Sequence, residues 1–211
     1  MPPTRGLADA LSAEVTQAAT AWLDLPMLAG IRAGDLDPAV FRHYLEQDYV
    51  YLRYYARIYS RLAAAATTED ELELFVRLAH GVVAVELDHH KRAAGPFGCD
   101  FDDVVPSAET REYLAFYESL AHDRAATLVA MLPCIQGYGV ALAGLRDAAP
   151  GPYQDWIAIY SGGQYADMIQ RHLTLVDGAE LPEDRALEIL ARAVELERMF
   201  WNQLPAVVEA S

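Results

Sequence analysis

The sequence predicts an all-α protein, a single-domain bundle of about seven helices over residues 1–211. Apolar residues recur at the helical period of 3.6 residues along most of the chain. No segment alternates apolar and polar residues as a half-buried strand does. The connections are too short to separate two domains, and the 53% hydrophobic content is ample for one core.

Seven helices are predicted in chain order, at residues 8–23, 38–66, 67–93, 107–122, 124–146, 153–176 and 183–204. The first ends at the Leu25-Pro26 segment. The second begins at Asp37-Pro38, a capping residue followed by proline at the first helical position. The third begins with a capping box that joins Thr67 or Thr68 to Glu71.

Glycine and proline delimit the later helices. Gly95-Pro96 ends the third helix and opens the longest irregular stretch, residues 95–106. Ser107 begins the fourth helix, and the tripeptide at 150–152 separates the fifth helix from the sixth. The sixth helix is interrupted near Gly162-Gly163, and a Gly- and Pro-containing turn precedes the last helix.

Two acidic residues, Asp48 and Glu197, lie in the middle of apolar helix faces. At about 100° per residue, Asp48 falls among Phe41, Tyr44, Tyr51, Leu52, Tyr55, Tyr59 and Leu62. Glu197 falls among Leu187, Leu190, Val194, Phe200, Trp201 and Leu204. A buried carboxylate must be hydrogen-bonded, ion-paired, protonated or in contact with a ligand. The two acids therefore predict a polar pocket inside the helical core.

The charge and composition exclude several classes of function. A formal net charge of −15 disfavours binding to nucleic acid or to an anionic membrane, because both require a basic surface. We expect no membrane-spanning helix, since a span needs about 18 consecutive apolar, uncharged residues. The N-terminal segment lacks the apolar core of a signal peptide, and Cys99 and Cys134 are too few for a disulfide framework. We therefore expect a cytoplasmic protein.

Cys134 lies in a nearly continuous apolar segment, directly after Pro133. Pro133 cannot donate a hydrogen bond to the carbonyl four residues back, so it kinks or starts a helix there and opens the backbone beside the thiol. Gly137 and Gly139 leave room nearby, and Tyr138 lies one turn beyond Cys134 on roughly the same face. These features fit either a kinked core helix with a buried thiol or a reactive cysteine.

Tyrosine is unusually frequent, with twelve residues against six phenylalanines. Tyr44, Tyr51 and Tyr55 share the helix face of Asp48, and Tyr160 precedes a glycine pair. Buried tyrosines offer flat walls and a hydroxyl that needs a partner. An aromatic stripe is usually core, but a carboxylate inside it favours a flat, protonatable heterocycle whose nitrogens donate to the acid.

A metal site is an alternative use of the polar residues. Glu86, His89 and His90 share one predicted helix, and Asp167 and His172 share another. A Glu with a His three residues later is typical of carboxylate-bridged di-iron bundles, in which acids face inward from several helices. The fifth predicted helix carries no acid, which weakens this alternative.

Several motifs occur in order along the chain: Gly30-Ile31 through Leu36, Gln47 to Leu52, Leu132-Pro133-Cys134 followed by Tyr138, Tyr153 to Ile157 leading to Tyr160 to Gly163, and Glu197 to Trp201. Together they resemble the TenA or thiaminase II family over nearly the whole chain. That resemblance implies the all-helical haem-oxygenase-like fold. One position departs from the pattern, because family members commonly have a His-Pro-Phe sequence after the first helix and this chain has Leu25-Pro26-Met27.

In that family, cysteine-containing members deaminate an aminomethyl-aminopyrimidine to the hydroxymethyl compound in thiamin salvage, and can cleave thiamin. The resemblance implies that Cys134 is the nucleophile and that Asp48 binds the ring's amino group and nitrogen. It implies that Glu197 moves protons to the leaving amine and from water. Roles in binding the ring are implied for Tyr51, Tyr138, Tyr160, Tyr117 and Phe200. The implied reaction needs no cofactor or metal, the partner is a small pyrimidine, and the implied assembly is a homotetramer.

Two other functions are compatible with the sequence. A metal-dependent oxidase on the same bundle would use Glu86, His90, Asp167 or His172. A non-catalytic pyrimidine- or thiamin-binding protein would keep the aromatic pocket without turnover. Haem oxygenase activity is disfavoured because it needs an early proximal histidine, and the first histidine here, His43, lies on the second predicted helix.

Overall fold

The computed structural model describes residues 6–205, and this part of the chain consists of helices and connections without a β-strand. Its eleven α-helices are α1 (Leu7–Trp22), α2 (Pro26–Ala33), α3 (Pro38–Ala64), α4 (Glu69–Gly81), α5 (Leu87–Ala94), α6 (Ala108–Ser119), α7 (Arg124–Ala130), α8 (Tyr138–Ala143), α9 (Gln154–Ser161), α10 (Gly163–Asp177) and α11 (Glu183–Trp201). Two π-helical turns, Val82–Glu86 and Pro133–Gly137, and a 3-10 turn, Gly95–Phe97, complete the helical structure. The all-α prediction is confirmed.

Each predicted helix is present, but three are divided. The first, second, fourth and last predicted helices correspond to α1, α3, α6 and α11. The third consists of α4, a π-helical turn and α5, the fifth of α7, a π-helical turn and α8, and the sixth of α9 and α10. Helix α2 was not predicted from the sequence. Pro26 does not merely end the first helix but opens α2, because the first turn of a helix needs no N–H donor from proline.

Side-chain caps set the start of several helices. Asp37 accepts a 2.9 Å hydrogen bond from the Ala39 N–H at the start of α3. Thr68 accepts a 3.2 Å hydrogen bond from the Glu71 N–H at the start of α4, so the capping residue is Thr68 rather than Thr67. Ser107 caps α6 in the same way. Each cap satisfies a backbone donor that has no partner within its helix.

One hydrophobic core contains buried residues from α1 through α11. Helix α3 packs on α4, α5 and α6, whereas α11 packs on α1, α6 and α7. The apolar faces of α3 and α11 both point into this core. Asp48 and Glu197 are accordingly only 4% and 2% exposed, as the helical periodicity predicted.

The segment Arg124–Ala143 corrects one expectation. By length and composition it is the one helical stretch within residues 6–205 able to cross a membrane, although none was predicted. In the fold, 83% of its most apolar window is buried inside the protein. Packing in the core therefore accounts for its hydrophobicity.

Candidate active site

A cavity of about 580 Å³ lies between α3, the two π-helical turns, the junction of α9 with α10, and α11. Seven of the eight residues that the resemblance implied for the site line it: Asp48, Tyr51, Cys134, Tyr138, Tyr160, Glu197 and Phe200. The fold thus brings a thiol, two acids and four aromatic rings from distant parts of the chain to one space.

Cys134 lies in the π-helical turn Pro133–Gly137. Pro133 has no N–H to donate, and the N–H of Tyr138 bonds to the Pro133 carbonyl five residues back, which is the hydrogen bond of a π-helix. Gly137 lies so close to Trp22 that a Cβ would meet its ring at 2.6 Å. Proline and glycine therefore define a turn from which the partly exposed Cys134 lines the cavity.

The thiol of Cys134 is protonated near neutral pH. Burial, and next the negative charge of Glu197, raise the pKa of Cys134 well above its ordinary value, whereas hydrogen bonding from Tyr51 lowers it. Only the thiolate is an effective nucleophile. To act as a nucleophile, Cys134 would need a base within the cavity.

Glu197 is a buried acid that lines the same cavity as Cys134. Its Oε2 atom accepts a 2.7 Å hydrogen bond from the Tyr113 hydroxyl. Burial raises the pKa of Glu197 to about 7, and the hydrogen bond from Tyr113 opposes the rise. A carboxyl group with a pKa near neutrality can both accept and donate a proton at physiological pH.

Asp48 lies beside His90, whose sequence position had suggested only a metal ligand. His90 Nδ1 is 3.3 Å from Asp48 Oδ2, and both side chains are buried. His90 Nε2 donates a 2.7 Å hydrogen bond to the Leu45 carbonyl, which leaves Nδ1 free to accept. Burial raises the pKa of Asp48 well above its ordinary value and lowers that of His90 to about 4. Burial therefore disfavours the charged form of both groups, and neither Oδ2 nor Nδ1 has a hydrogen-bond partner among the described residues, so the Asp48 carboxyl is free to bind a ligand.

Tyr117 is not where the resemblance placed it. It belongs to α6, which contributes no side chain to the cavity wall, so it cannot stack on a bound ring. Its hydroxyl lies instead 3.0 Å from that of Tyr51 and 3.5 Å from that of Tyr113. Because Tyr113 donates to Glu197, these contacts form a chain of hydroxyl groups from Tyr51 to Glu197.

The cavity also contains residues to which the sequence analysis gave no role in binding a pyrimidine: Tyr55, Tyr59, Glu86 and Tyr165. Glu86 ends the turn Val82–Glu86 and accepts a 3.1 Å hydrogen bond from the Tyr160 hydroxyl. Burial raises the pKa of Glu86 to about 7. One feature of the sequence could have indicated Glu86 as a site residue. Glu86 precedes His90 by four residues, which places both side chains on one helix face.

The positions of the candidate metal ligands do not support a metal-dependent oxidase. Within residues 6–205, no group of three or more His, Cys, Asp and Glu side chains is arranged to hold a metal ion. His90 and His172 instead direct Nε2 at the backbone carbonyls of Leu45 and Leu128, each at 2.7 Å, and Asp167 is exposed. The residues of that alternative therefore do not form a coordination site.

Fold and site together define an all-helical protein that encloses a tyrosine-lined pocket with one thiol and three acids. The sequence model of the TENA/THI-4/PQQC family matches residues 16–205. The chain belongs to this family, and the resemblance found in its motifs is confirmed.

Individual similar proteins agree with this assignment. The chain is 28% identical over 191 residues to an aminopyrimidine aminohydrolase from Halalkalibacterium halodurans. The aligned region covers 84% of this chain and 85% of that protein. A TenA family transcription regulator from a Silicibacter species has a TM-score of 0.83 and 27% identity, covering 95% of this chain and 97% of its own. A domain with a heme oxygenase-like fold from Shewanella denitrificans has a TM-score of 0.70 and 12% identity, covering 92% and 89%. The predicted haem-oxygenase-like fold is confirmed.

Proposed function

We propose that this protein hydrolyses aminopyrimidines in thiamin salvage, replacing the amino group of an aminomethyl-aminopyrimidine with a hydroxyl group. The observation that carries the proposal is the convergence of Cys134, Asp48 and Glu197 on one cavity. Family membership and the relative named aminopyrimidine aminohydrolase support the same class of substrate.

The polar edge of the pyrimidine ring binds to Asp48. An aminopyrimidine presents an amino donor beside a ring-nitrogen acceptor, and a protonated carboxyl group offers the matching acceptor and donor. The rings of Tyr51, Tyr138 and Phe200 provide flat walls for the heterocycle. His90 positions this carboxyl through the Nδ1 contact.

Cys134 first transfers its proton to Glu197, and the thiolate adds to a ring carbon to form a C–S bond. The displaced electrons break the exocyclic C–N bond, and Glu197 returns the proton to the leaving amine. Glu197 then takes a proton from water while the hydroxyl adds to the exocyclic carbon and the C–S bond breaks. Proton transfer from Glu197 restores the thiol, so the cycle needs no redox partner.

Substitution of the nucleophile tests the proposal. We expect Cys134→Ala to lower formation of the hydroxymethyl product from aminomethyl-aminopyrimidine by about 10³-fold or more. Cys99→Ala is the matched control, because Cys99 lies outside the cavity and should leave turnover unchanged. Chromatography measures the product, and circular dichroism shows whether each variant is folded. Undiminished turnover by Cys134→Ala would refute the assigned nucleophile, whereas binding without turnover by the unsubstituted protein would favour a non-catalytic binder.

We further propose that the chain acts as one domain and assembles into a homotetramer in the cytoplasm. The continuous core of the described residues supports one domain. Leu72, Val76 and Val83 are 46%, 52% and 58% exposed along α4 and the following turn, an apolar strip that association would cover. Light scattering by the purified protein measures the assembly.

A further inference from the structure

Glu86 is the one acid of the cavity that the proposed reaction does not use. It lines the same cavity as Cys134, and the Tyr160 hydroxyl donates to it at 3.1 Å. No Lys, Arg or His within residues 6–205 forms a salt bridge with it, although ten other acid–base pairs form there. A mostly buried carboxylate that faces a cavity and has no protein cation is suited to a cationic ligand.

Three aromatic rings line the cavity together with this acid. Tyr59, Tyr160 and Tyr165 all line the cavity. The rings of Tyr160 and Tyr165 lie 5.3 Å apart at 83°, so their faces point in different directions. Burial is the main cause that raises the pKa of the Tyr160 hydroxyl, and the negative charge of Glu86 is the second. Tyr160 therefore lies within the electrostatic field of Glu86. Aromatic faces with a nearby carboxylate form the kind of site in which proteins hold organic cations.

A second feature points to a cation in the same space. Asp48 is 4% exposed, lines the cavity, and its Oδ2 atom has no hydrogen-bond partner among the described residues apart from the 3.3 Å contact with His90. The cavity therefore holds three carboxyl groups. Its basic lining residues do not balance them, because the Arg77 guanidinium bonds to Glu73 on the surface and His89 contacts Arg92. A positively charged ligand would favour the ionised form of these acids, which burial alone disfavours.

We propose that Glu86 and the rings of Tyr59, Tyr160 and Tyr165 form a cage for the positively charged nitrogen of the leaving group, whether an ammonium or a quaternary ring nitrogen. This inference rests on the proposed function. It adds that the site selects pyrimidines whose leaving group carries a positive charge. An aliphatic ammonium group already carries its proton, so it leaves as neutral ammonia when the C–N bond breaks. The departing ammonia then takes the thiol proton from Glu197, so Glu197 is ionised again when it accepts a proton from the attacking water.

Equilibrium binding tests the cage without catalysis. In the Cys134→Ala protein, calorimetry compares an aminomethyl-aminopyrimidine, which is cationic at neutral pH, with its neutral hydroxymethyl counterpart. We expect a further Glu86→Gln substitution to weaken binding of the cation about thirtyfold or more. Binding of the neutral compound should change by less than about twofold, since Gln keeps the size and a hydrogen-bond acceptor for Tyr160.

Asp88→Asn is the matched control for the loss of one negative charge. Asp88 follows Glu86 by two residues, is exposed and pairs with Arg92, so both ligands should bind as before. Glu86→Asp keeps the charge and should retain a preference for the cation. An equal loss for both ligands, or no loss for either, overturns the cage. If turnover still depends on Cys134 in that case, the proposed function stands; if neither pyrimidine binds and no product forms, both proposals fail.

Discussion

The hydroxyl groups of three buried tyrosines form a chain that runs from the cavity wall to the acid of the candidate site. Tyr51 lines the cavity together with Cys134, and its hydroxyl lies 3.0 Å from that of Tyr117. Tyr117 contacts Tyr113 at 3.5 Å, and Tyr113 donates to Glu197 at 2.7 Å. Each hydroxyl orients the next, so a change at Tyr117 reaches the cavity only through its neighbours.

Removal of one hydroxyl from this chain should slow turnover without weakening substrate binding. Because Tyr117→Phe removes a hydrogen bond worth about 0.5–1.5 kcal/mol, we expect kcat to fall about threefold to tenfold. KM should stay unchanged, since Tyr117 does not line the cavity. Tyr54→Phe, which removes a hydroxyl bonded to Glu118 near the surface, is the matched control. A rise in KM with constant kcat would contradict the chain.

The sequence identified the residues whose burial follows from local periodicity, and it missed those that depend on contacts between helices. Asp48 and Glu197 were found because each lies among apolar side chains on a regular helix. Tyr113 and Tyr117 lie one turn apart on α6, so periodicity places both inside but does not show which of them reaches Glu197. That choice depends on how α6 packs against α11.

At the scale of helices, the two π-helical turns position the cavity's chemistry. One turn ends at Glu86 and the other contains Cys134, and both line the cavity. A π-helical turn accommodates an extra residue, so the inward face shifts by about 100° for every residue after it. Periodicity averaged over a window does not resolve a one-residue shift. The sequence therefore predicts two continuous helices where the structure has α4–α5 and α7–α8.

The turn that carries Cys134 depends on a close helix–helix contact. A Cβ at Gly137 would lie 2.6 Å from the Trp22 ring, so Gly137→Ala forces buried groups apart. We expect it to lower the free energy of unfolding by about 1–3 kcal/mol in denaturant titrations. Gly81→Ala, also in a helix but with nothing within 4 Å of its Cβ, should instead be neutral or raise it by up to about 1 kcal/mol. Equal effects would show that packing against Trp22 does not define the turn.

For the whole molecule, the candidate site lowers the stability of the fold. Burial raises the pKa values of Asp48, Glu86 and Glu197, so the folded state keeps protons that the unfolded chain releases. The sequence predicts the helical bundle because apolar faces are local patterns. It does not predict that three acids share one cavity, because that arrangement requires α3, α11 and a π-helical turn to meet.

The pH dependence of stability should show this effect for Glu197, which is 2% exposed. Below the unfolded pKa of Glu197, about 4.5, the folded and unfolded states both hold the proton, so the acid does not change the free energy of unfolding. Between pH 4.5 and the folded pKa of about 7, Glu197 ionises only in the unfolded state. The destabilisation therefore grows across this interval and is complete above it. Glu197→Gln cannot ionise, so its unfolding free energy relative to the unsubstituted protein should rise by about 3 kcal/mol between pH 4 and pH 8.

Denaturant titrations at several pH values measure this difference. Glu195→Gln is the matched control: Glu195 lies on the same helix but bonds to Arg198 at the surface, and its pKa is lowered by that hydrogen bond. Its substitution should therefore give no rise with pH and at most a small change of opposite sign. A pH-independent difference for Glu197→Gln would mean that its carboxyl group is already ionised in the folded protein at pH 5. Such an acid would be too weak a base to take the proton of the Cys134 thiol as the proposed reaction requires, so the same titration tests the role of Glu197 in the reaction.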